Sequence, residues 1–343
     1  MNADGTPGTV LVTGGSGYIA GYLIRLLAAG GWTVHTSVRQ RSTEAALRRR
    51  LAVDDARLRV FPAELTADAG WAEACAGCTH VAHLASPVAA EAVRDPDVLV
   101  APARDGTLRV LRAARDAGVR RFVMTSSVAA IAYGRGRGVH HLTETDWTDL
   151  RSPGLSPYVR SKTIAERSAR EWVEVQGGAL EFCALCPSVV LGPVWSADYS
   201  PSVQIVQRLL AGELKACPDF GFGVVDVRDL AELHRLALVT PGLAGERFIA
   251  SGPYLTLLQV AQVLRSHLGD AARRVPTRAL PDWAVRLAAL VNPLARAVVH
   301  ELGSVRQQDA SHARKVLGWV TRPAEASIVD AARSLLDLGL VKP

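Results

Sequence analysis

Tyr158 and Lys162 stand four residues apart, downstream of Thr125-Ser126-Ser127 and of a glycine-rich opening, Val12-Thr13-Gly14-Gly15-Ser16-Gly17-Tyr18-Ile19-Ala20-Gly21. On a helix, positions i and i+4 share a face, so the Lys162 ammonium would lie beside the Tyr158 phenol. A phenol is normally too weak an acid at neutral pH, and an adjacent ammonium together with a cationic nicotinamide would depress its pKa. The implied roles are a proton from Tyr158 to a carbonyl oxygen, tuning of that phenol and a hold on the cofactor ribose by Lys162, and polarisation of the carbonyl by Ser127. Only four of the 39 basic residues are lysines, at 162, 215, 315 and 342. The one that precedes residue 215 falls where this chemistry needs it.

The cofactor reading comes from the opening. Gly14-x-x-Gly17-x-x-Ala20 follows a β-branched run, Thr9 to Thr13, and starts a helical stretch, Tyr18 to Ala29. Gly14 permits the tight turn, Gly17 lets backbone approach a pyrophosphate, and the helix N-terminus offers N–H groups to the anion. Ser16, Tyr18 and Ile19 complete the candidate loop contacts. At the end of a second strand, Trp32 to Val38, an NAD site wants a carboxylate for the ribose, whereas a 2′-phosphate calls for a guanidinium. The chain reads Val38-Arg39-Gln40-Arg41-Ser42 with no carboxylate before Glu44. Arg39, with Arg41 as a second clamp, therefore predicts NADP(H).

These residues need a scaffold. Further strands are predicted at Leu58–Phe61, His80–Ala85, Arg121–Ser126 and Leu180–Pro187, with helices at Asp68–Cys75, Leu99–Ala117 and Pro157–Val175. Strands alternating with helices build a parallel sheet. The fold class is α/β, a doubly wound parallel Rossmann sheet with a smaller, mostly helical C-terminal substrate lobe. Residues 1–187 form the NADP(H)-binding domain, with a strand-like run at Phe222–Val227 opening a stretch, 222–250, that returns to it; 188–221 and 251–343 form the lobe. Ser127 would sit at the carboxyl end of the fifth strand, where open α/β sheets bind ligands. Val194, Trp195, Tyr199, Val203, Trp283 and Leu287 are expected to give the pocket over the nicotinamide an apolar lining, suited to a hydrophobic aldehyde or ketone.

Composition narrows the class. About half of the 343 residues are apolar, and the formal net charge is +6. The arginines are scattered instead of forming one basic run, which speaks against a nucleic-acid partner. Met1 to Gly8 carries no basic and apolar leader, and no apolar run approaches a membrane span. A cytoplasmic protein, monomer or homodimer, is expected, without a membrane partner. Cys75-x-x-Cys78 and Cys183-x-x-Cys186 have metal-ligand spacing, but the second pair lies in a predicted strand, where i and i+3 diverge, and the first straddles a helix end. The trajectory of Trp283–Leu302 is amphipathic and reads as a lobe helix packed on the core. No metal is expected.

Together, Val12 to Gly21, Val38-Arg39, Gly77-Cys78-Thr79 into His83-Leu84-Ala85-Ser86-Pro87, Arg121 to Ser127, Glu144-Thr145-Asp146-Trp147, Tyr158 to Lys162 and Pro187 to Pro193 carry a likeness over nearly the whole chain. It resembles the extended short-chain dehydrogenase/reductases, and within them the dihydroflavonol 4-reductase group, which includes cinnamoyl-CoA and aldehyde reductases. The resemblance implies NADPH-dependent reduction of an aldehyde or ketone. It also implies that Glu64-Leu65 lies beside the adenine, where the group usually has Asp-Leu, that Leu84, Ala85 and Ser86 line the cofactor, that Pro187 to Val190 contact the nicotinamide end, and that Ser202 of Pro201-Ser202 faces the cofactor. Two alternatives stand beside it. A nucleotide-sugar epimerase or dehydratase shares the Ser, Tyr and Lys, but Ser127 is followed by Val128-Ala129-Ala130 and not by an acidic pair, and epimerases favour NAD. A non-catalytic NADP(H)-sensing regulator would have no need of the intact trio.

Overall fold

Short β-branched runs alternate with amphipathic stretches along the first half of the chain, and the computed structural model, which describes residues 7–87 and 97–341, folds them into alternating strands and helices. Most of the polar opening Met1–Gly8, and Lys342, lie outside the described residues. In chain order the first half gives β1 (Thr9–Val12), α1 (Tyr18–Ala29), β2 (Thr33–Val38), α2 (Glu44–Leu51), β3 (Leu58–Pro62), α3 (Trp71–Cys75), β4 (His80–His83), α4 (Asp97–Asp116), β5 (Arg121–Thr125), β6 (Gly138–Leu142) and α5 (Pro157–Gln176). There follow β7 (Glu181–Pro187), β8 (Val189–Leu191), α6 (Pro201–Ala211), β9 (Cys217–Pro218), β10 (Gly221–Asp226), α7 (Val227–Val239), β11 (Arg247–Ala250), β12 (Tyr254–Thr256) and α8 (Leu257–Leu268). The chain closes with β13 (Ala279–Leu280), α9 (Asp282–Ala288), α10 (Pro293–Val299), β14 (Ser304–Gln308), α11 (Ser311–Leu317) and α12 (Ala324–Asp337).

Seven strands form one parallel sheet in the order β11-β7-β5-β4-β1-β2-β3. Every residue of β4, β5 and β11 is buried, as expected where helices cover both faces of a sheet. Strand alternation divides the apolar side chains. Val10 and Val12 point to the face covered by α1 and α7, with Leu23, Leu27, Leu230 and Leu233. Leu11, Val81 and Phe122 point to the opposite face, with Val110 and Leu111 of α4 and Ala165 and Ala169 of α5. This is the doubly wound α/β architecture.

The lobe has its own core. Val206 and Leu209 of α6, Val260 and Leu264 of α8, and Ile328 and Leu335 of α12 pack together beside a three-stranded sheet. In it β10 pairs parallel with β8 and antiparallel with β12. Residues 222–250 therefore divide: β10 joins the lobe sheet, whereas α7 covers the main sheet and β11 extends it beyond β7. Seven strands, β6, β8, β9, β11, β12, β13 and β14, have no counterpart of their own among those read from the sequence. The pairing of β14 with β6 in parallel, Ser304 against Gly138 through Gln308 against Leu142, carries a lobe strand to the edge of the Rossmann unit. No helix among the described residues is long and apolar enough to cross a membrane.

Candidate active site

The turn between β1 and α1 is built on close approach. Gly14 has φ +71° and a Cβ there would come within 3.2 Å of Ala85, so the backbone after β4 lies directly against the turn. The Gly14 N–H donates to Ser37 Oγ at 2.9 Å. Gly17 caps α1 in an extended conformation with no side chain accepting from the first turn, which leaves those N–H groups for an anion. Thr13 ties the turn to β4: its Oγ1 accepts from Leu84 N and Ala85 N, each at 2.9 Å, and lies 3.0 Å from His83 Nδ1. With both acceptor positions filled, the Thr13 hydroxyl donates to Nδ1, and the opposite Nε2–H donates to Thr107 Oγ1 at 3.2 Å. The imidazole is neutral, its pKa brought down to about 3 by burial.

Beside this turn lies a cavity of about 960 Å³ lined by Ser16, Arg39, Arg49, Arg50, Glu64 and Trp195, among others. Three guanidinium groups and the open helix end suit a phosphorylated ribose and a pyrophosphate, so the residues present fit a dinucleotide with a 2′-phosphate. Arg50 Nη2 donates to Ser16 O at 2.7 Å, and Nη1 lies 3.6 Å from Asp198. Arg49 and Arg50 passed unnoticed in the run Arg48-Arg49-Arg50, where the only signal was charge on a short helix. Arg41 sits exposed in a one-turn 3-10 segment and does not line the cavity.

The other loop candidates divide. Ser16 is exposed at the cavity, but Tyr18 turns inward, its hydroxyl buried without a partner and its ring edge-on to Tyr22 at 5.9 Å. Ile19 is half-buried against the core under α1. Glu64 lines the cavity while Leu65 packs toward Gly106 in the core beneath α4. Leu84, Ala85 and Ser86 lie half-buried after β4. Pro187 is buried at the end of β7, and Val190 points into the core, so Val189 and not Val190 faces a cavity. Adjacent strand residues face opposite ways, which makes a pair of neighbours poor joint candidates.

That second cavity, of about 160 Å³, is where Ser127 and Tyr158 come together. Ser127, Tyr158 and Ser202 line it together with Val128, Tyr133, Val189, Phe222, Arg306 and Gln308. Ser127 follows β5 and caps a short turn, its Oγ accepting from Ala129 N at 3.1 Å. Ser156 caps α5, accepting from Val159 N at 3.3 Å, and Pro157 takes the first helical position, so the helix starts one residue before Tyr158. Tyr158 is 38% exposed and lines the cavity. Its surroundings raise the phenol above its ordinary pKa by desolvation, and a hydrogen bond with Ser127 pulls the other way. One turn on, Lys162 is buried with Nζ 5.9 Å from the Tyr158 ring centroid and 3.5 Å from Thr125 O. Desolvation lowers its pKa to about 8, with Cys186 and Glu166 opposing.

A further turn along α5, Glu166 is fully buried. Its carboxylate accepts from Arg247 Nε at 2.7 Å, Arg170 Nε at 3.1 Å and Ser126 Oγ at 2.5 Å. Arg247 in turn donates to the carbonyls of Glu144 and Asp146. This cluster locks α5 against β5 and β11 and so fixes the height of Tyr158 and Lys162 above the sheet.

The expected apolar substrate lining is corrected. Val194 and Val203 are buried in the lobe core, where Tyr199 also packs. Trp195 lies over Tyr22, ring centroids 4.0 Å apart, on the cofactor side. Trp283 and Leu287 are 68% and 62% exposed on α9 and line neither cavity, so this helix is not fully packed on the core as its amphipathic pattern suggested. The pocket is instead walled by Val128, Tyr133, Val189 and Phe222, with Arg306 and Gln308 delivered by β14. All five cysteines are free and buried, and no cluster of metal-ligating side chains occurs among the described residues.

Residues 10–249 match the model of the NAD dependent epimerase/dehydratase family. A cinnamoyl-CoA reductase of Medicago truncatula is 34% identical over 253 residues, 71% of this chain and 76% of that protein. A dihydroflavonol 4-reductase of Hordeum vulgare is 32% identical over 283 residues, 78% of this chain and 77% of that protein. Among solved structures, yeast methylglyoxal/isovaleraldehyde reductase complexed with NADPH superposes with a TM-score of 0.80 at 24% identity, covering 96% of this chain and 99% of that one. This last likeness bears on the fold.

Proposed function

The chain belongs to the NAD dependent epimerase/dehydratase family, in its extended short-chain dehydrogenase/reductase branch, and we propose that it is an NADPH-dependent reductase that converts an aldehyde or ketone to an alcohol. The observation that carries this reading is the joint lining of one small cavity by Ser127 and Tyr158, with the Lys162 ammonium buried a helical turn beneath. Bound NADPH supplies a hydride. Arg39, Arg49 and Arg50 hold the phosphates of its adenosine half, and the open end of α1 takes the pyrophosphate. The Ser127 hydroxyl, whose oxygen is held by Ala129 N–H, donates to the substrate oxygen and fixes the carbonyl. Tyr158 gives its phenolic proton to that oxygen, and the Lys162 charge stabilises the phenolate left behind.

Cinnamoyl-CoA and dihydroflavonol reductases being the relatives at 34% and 32% identity supports the direction of this chemistry. A cavity of about 160 Å³ is small for a nucleotide sugar. Five free, buried cysteines suit a reducing compartment, which supports a cytoplasmic enzyme. The deciding experiment follows NADPH oxidation with aryl and alkyl aldehydes and ketones beside turnover of UDP- and dTDP-sugars. Reduction of simple carbonyls is expected; activity confined to the sugars would overturn the reading.

A further inference from the structure

Arg306 reaches the carbonyl cavity from the other end of the chain. It is 8% exposed, and its guanidinium lies over the Tyr133 ring, 4.3 Å from the centroid. Glu301 takes Nη1 in an ion pair. The Nε is buried without a hydrogen-bond partner. A buried donor left unpaired is costly, and here it belongs to the only charged side chain among the described residues that line the cavity. Among the described residues no carboxylate lines it, and a second cation, Lys162, lies beneath Tyr158. Gln308, two residues along the same strand face, has its Oε1 3.0 Å from the Ser251 hydroxyl, and its amide N–H groups are donors it can offer a ligand. The cavity therefore presents donors from two parts of the chain, Ser127 and Tyr158 from the β5–α5 region and Arg306 and Gln308 from β14, with Val128, Val189 and Phe222 as apolar walls.

Resting on the reductase reading, we propose that Arg306 is a carboxylate anchor and that the substrate is a small oxo acid. The guanidinium receives the carboxylate, with Glu301 holding it at Nη1 and the Tyr133 ring against its plane. The carbonyl then meets Ser127 and Tyr158 in the same cavity. Reduction changes the carbonyl alone: it gains a hydride from NADPH and a proton and becomes a hydroxyl, and the carboxylate leaves as it entered, in a hydroxy acid.

The test compares kcat/KM for 2-oxobutanoate and 3-oxobutanoate with their methyl esters, with benzaldehyde as an uncharged control, all by NADPH oxidation. At least one acid is expected to exceed its ester about tenfold or more, and Arg306→Leu to collapse that ratio at least tenfold, chiefly through KM. Glu301→Gln removes the competing carboxylate and is expected to raise the acid-to-ester ratio. That variant decides the matter even where Arg306→Leu fails to fold. Esters and benzaldehyde reduced with no preference for either acid, or a ratio indifferent to Glu301→Gln, would overturn the anchor and leave the reductase reading standing. No turnover with any carbonyl would remove both.

Discussion

Tyr158 and Lys162 occupy one face of α5 but differ in surroundings, the phenol open to a cavity and the ammonium buried beneath it. Tyr158→Phe removes the proposed proton donor while leaving the ring, so turnover should fall by roughly 10²-fold or more with NADPH affinity retained. Stopped-flow turnover and cofactor titration check both halves; near-wild-type turnover would take Tyr158 out of the mechanism. In the proposed mechanism Lys162 serves as a cation, and burial lowers its pKa to about 8. Its charge is present below that value and lost as pH rises through it, so kcat/KM should decline above about pH 8 in the wild type. Lys162→Arg should shift that limb upward. Arg39 lines the large cavity, and among the described residues no side chain pairs with it. Arg39→Ala should weaken NADPH by about 1.5–3 kcal/mol, as for a charged hydrogen bond, and barely change NADH. Equal losses for the two cofactors, measured by titration, would make Arg39 structural.

At the scale of elements, the junctions between strands carry the site. Thr13, at the end of β1, serves three groups at once: Leu84 N, Ala85 N and His83 Nδ1. Thr13→Val keeps the shape and leaves all three unserved. Each buried polar group stranded in this way costs about 1–3 kcal/mol, so urea unfolding should show a loss of at least that size, accompanied by weaker NADPH binding because the segment after β4 is no longer held to the glycine turn. Unchanged stability would mean that other groups or water replace the hydroxyl. On the far edge, Arg247 of β11 holds Glu166 of α5 and two carbonyls after β6. Breaking such a buried pair from one side typically costs about 3–5 kcal/mol, and Arg247→Met is expected to lower the urea midpoint accordingly.

Over the whole molecule, burial sets the response to acid. His80 and His83 are held neutral with pKa values near 3, and His234 near 4, chiefly by desolvation, against 6.5 for a free imidazole. The unfolded chain therefore takes up protons that the folded chain refuses. Stability is complete above about pH 6.5 and falls as pH drops toward the folded values, by about 1.4 kcal/mol per pH unit for each histidine. Three acting over two pH units are worth roughly 8 kcal/mol, comparable with the stability of an ordinary domain. Urea midpoints should accordingly drop between pH 7 and pH 5, while the ring protons of these histidines show no titration in the native state by NMR. A flat midpoint across that range would contradict it.

The sequence by itself determined what lies within one strand-turn-helix unit or one helical face: the glycine turn and its helix, the guanidinium after the second strand, and the phenol and ammonium one turn apart. The reason is local. Helix and strand periods place such residues relative to one another whatever the rest of the chain does. The alternation of β-branched and amphipathic stretches likewise made the central sheet legible, because each strand must bury both faces. Tertiary structure alone decided which distant side chains complete the site. Arg306 and Gln308 reach Tyr158 because β14 pairs with β6, and Trp195 folds back on Tyr22 while Trp283 and Leu287 stay exposed. Pairing between strands more than 160 residues apart is selected by backbone hydrogen bonding and by burial in the finished fold. Neither leaves a period or spacing in the chain from which it could be read.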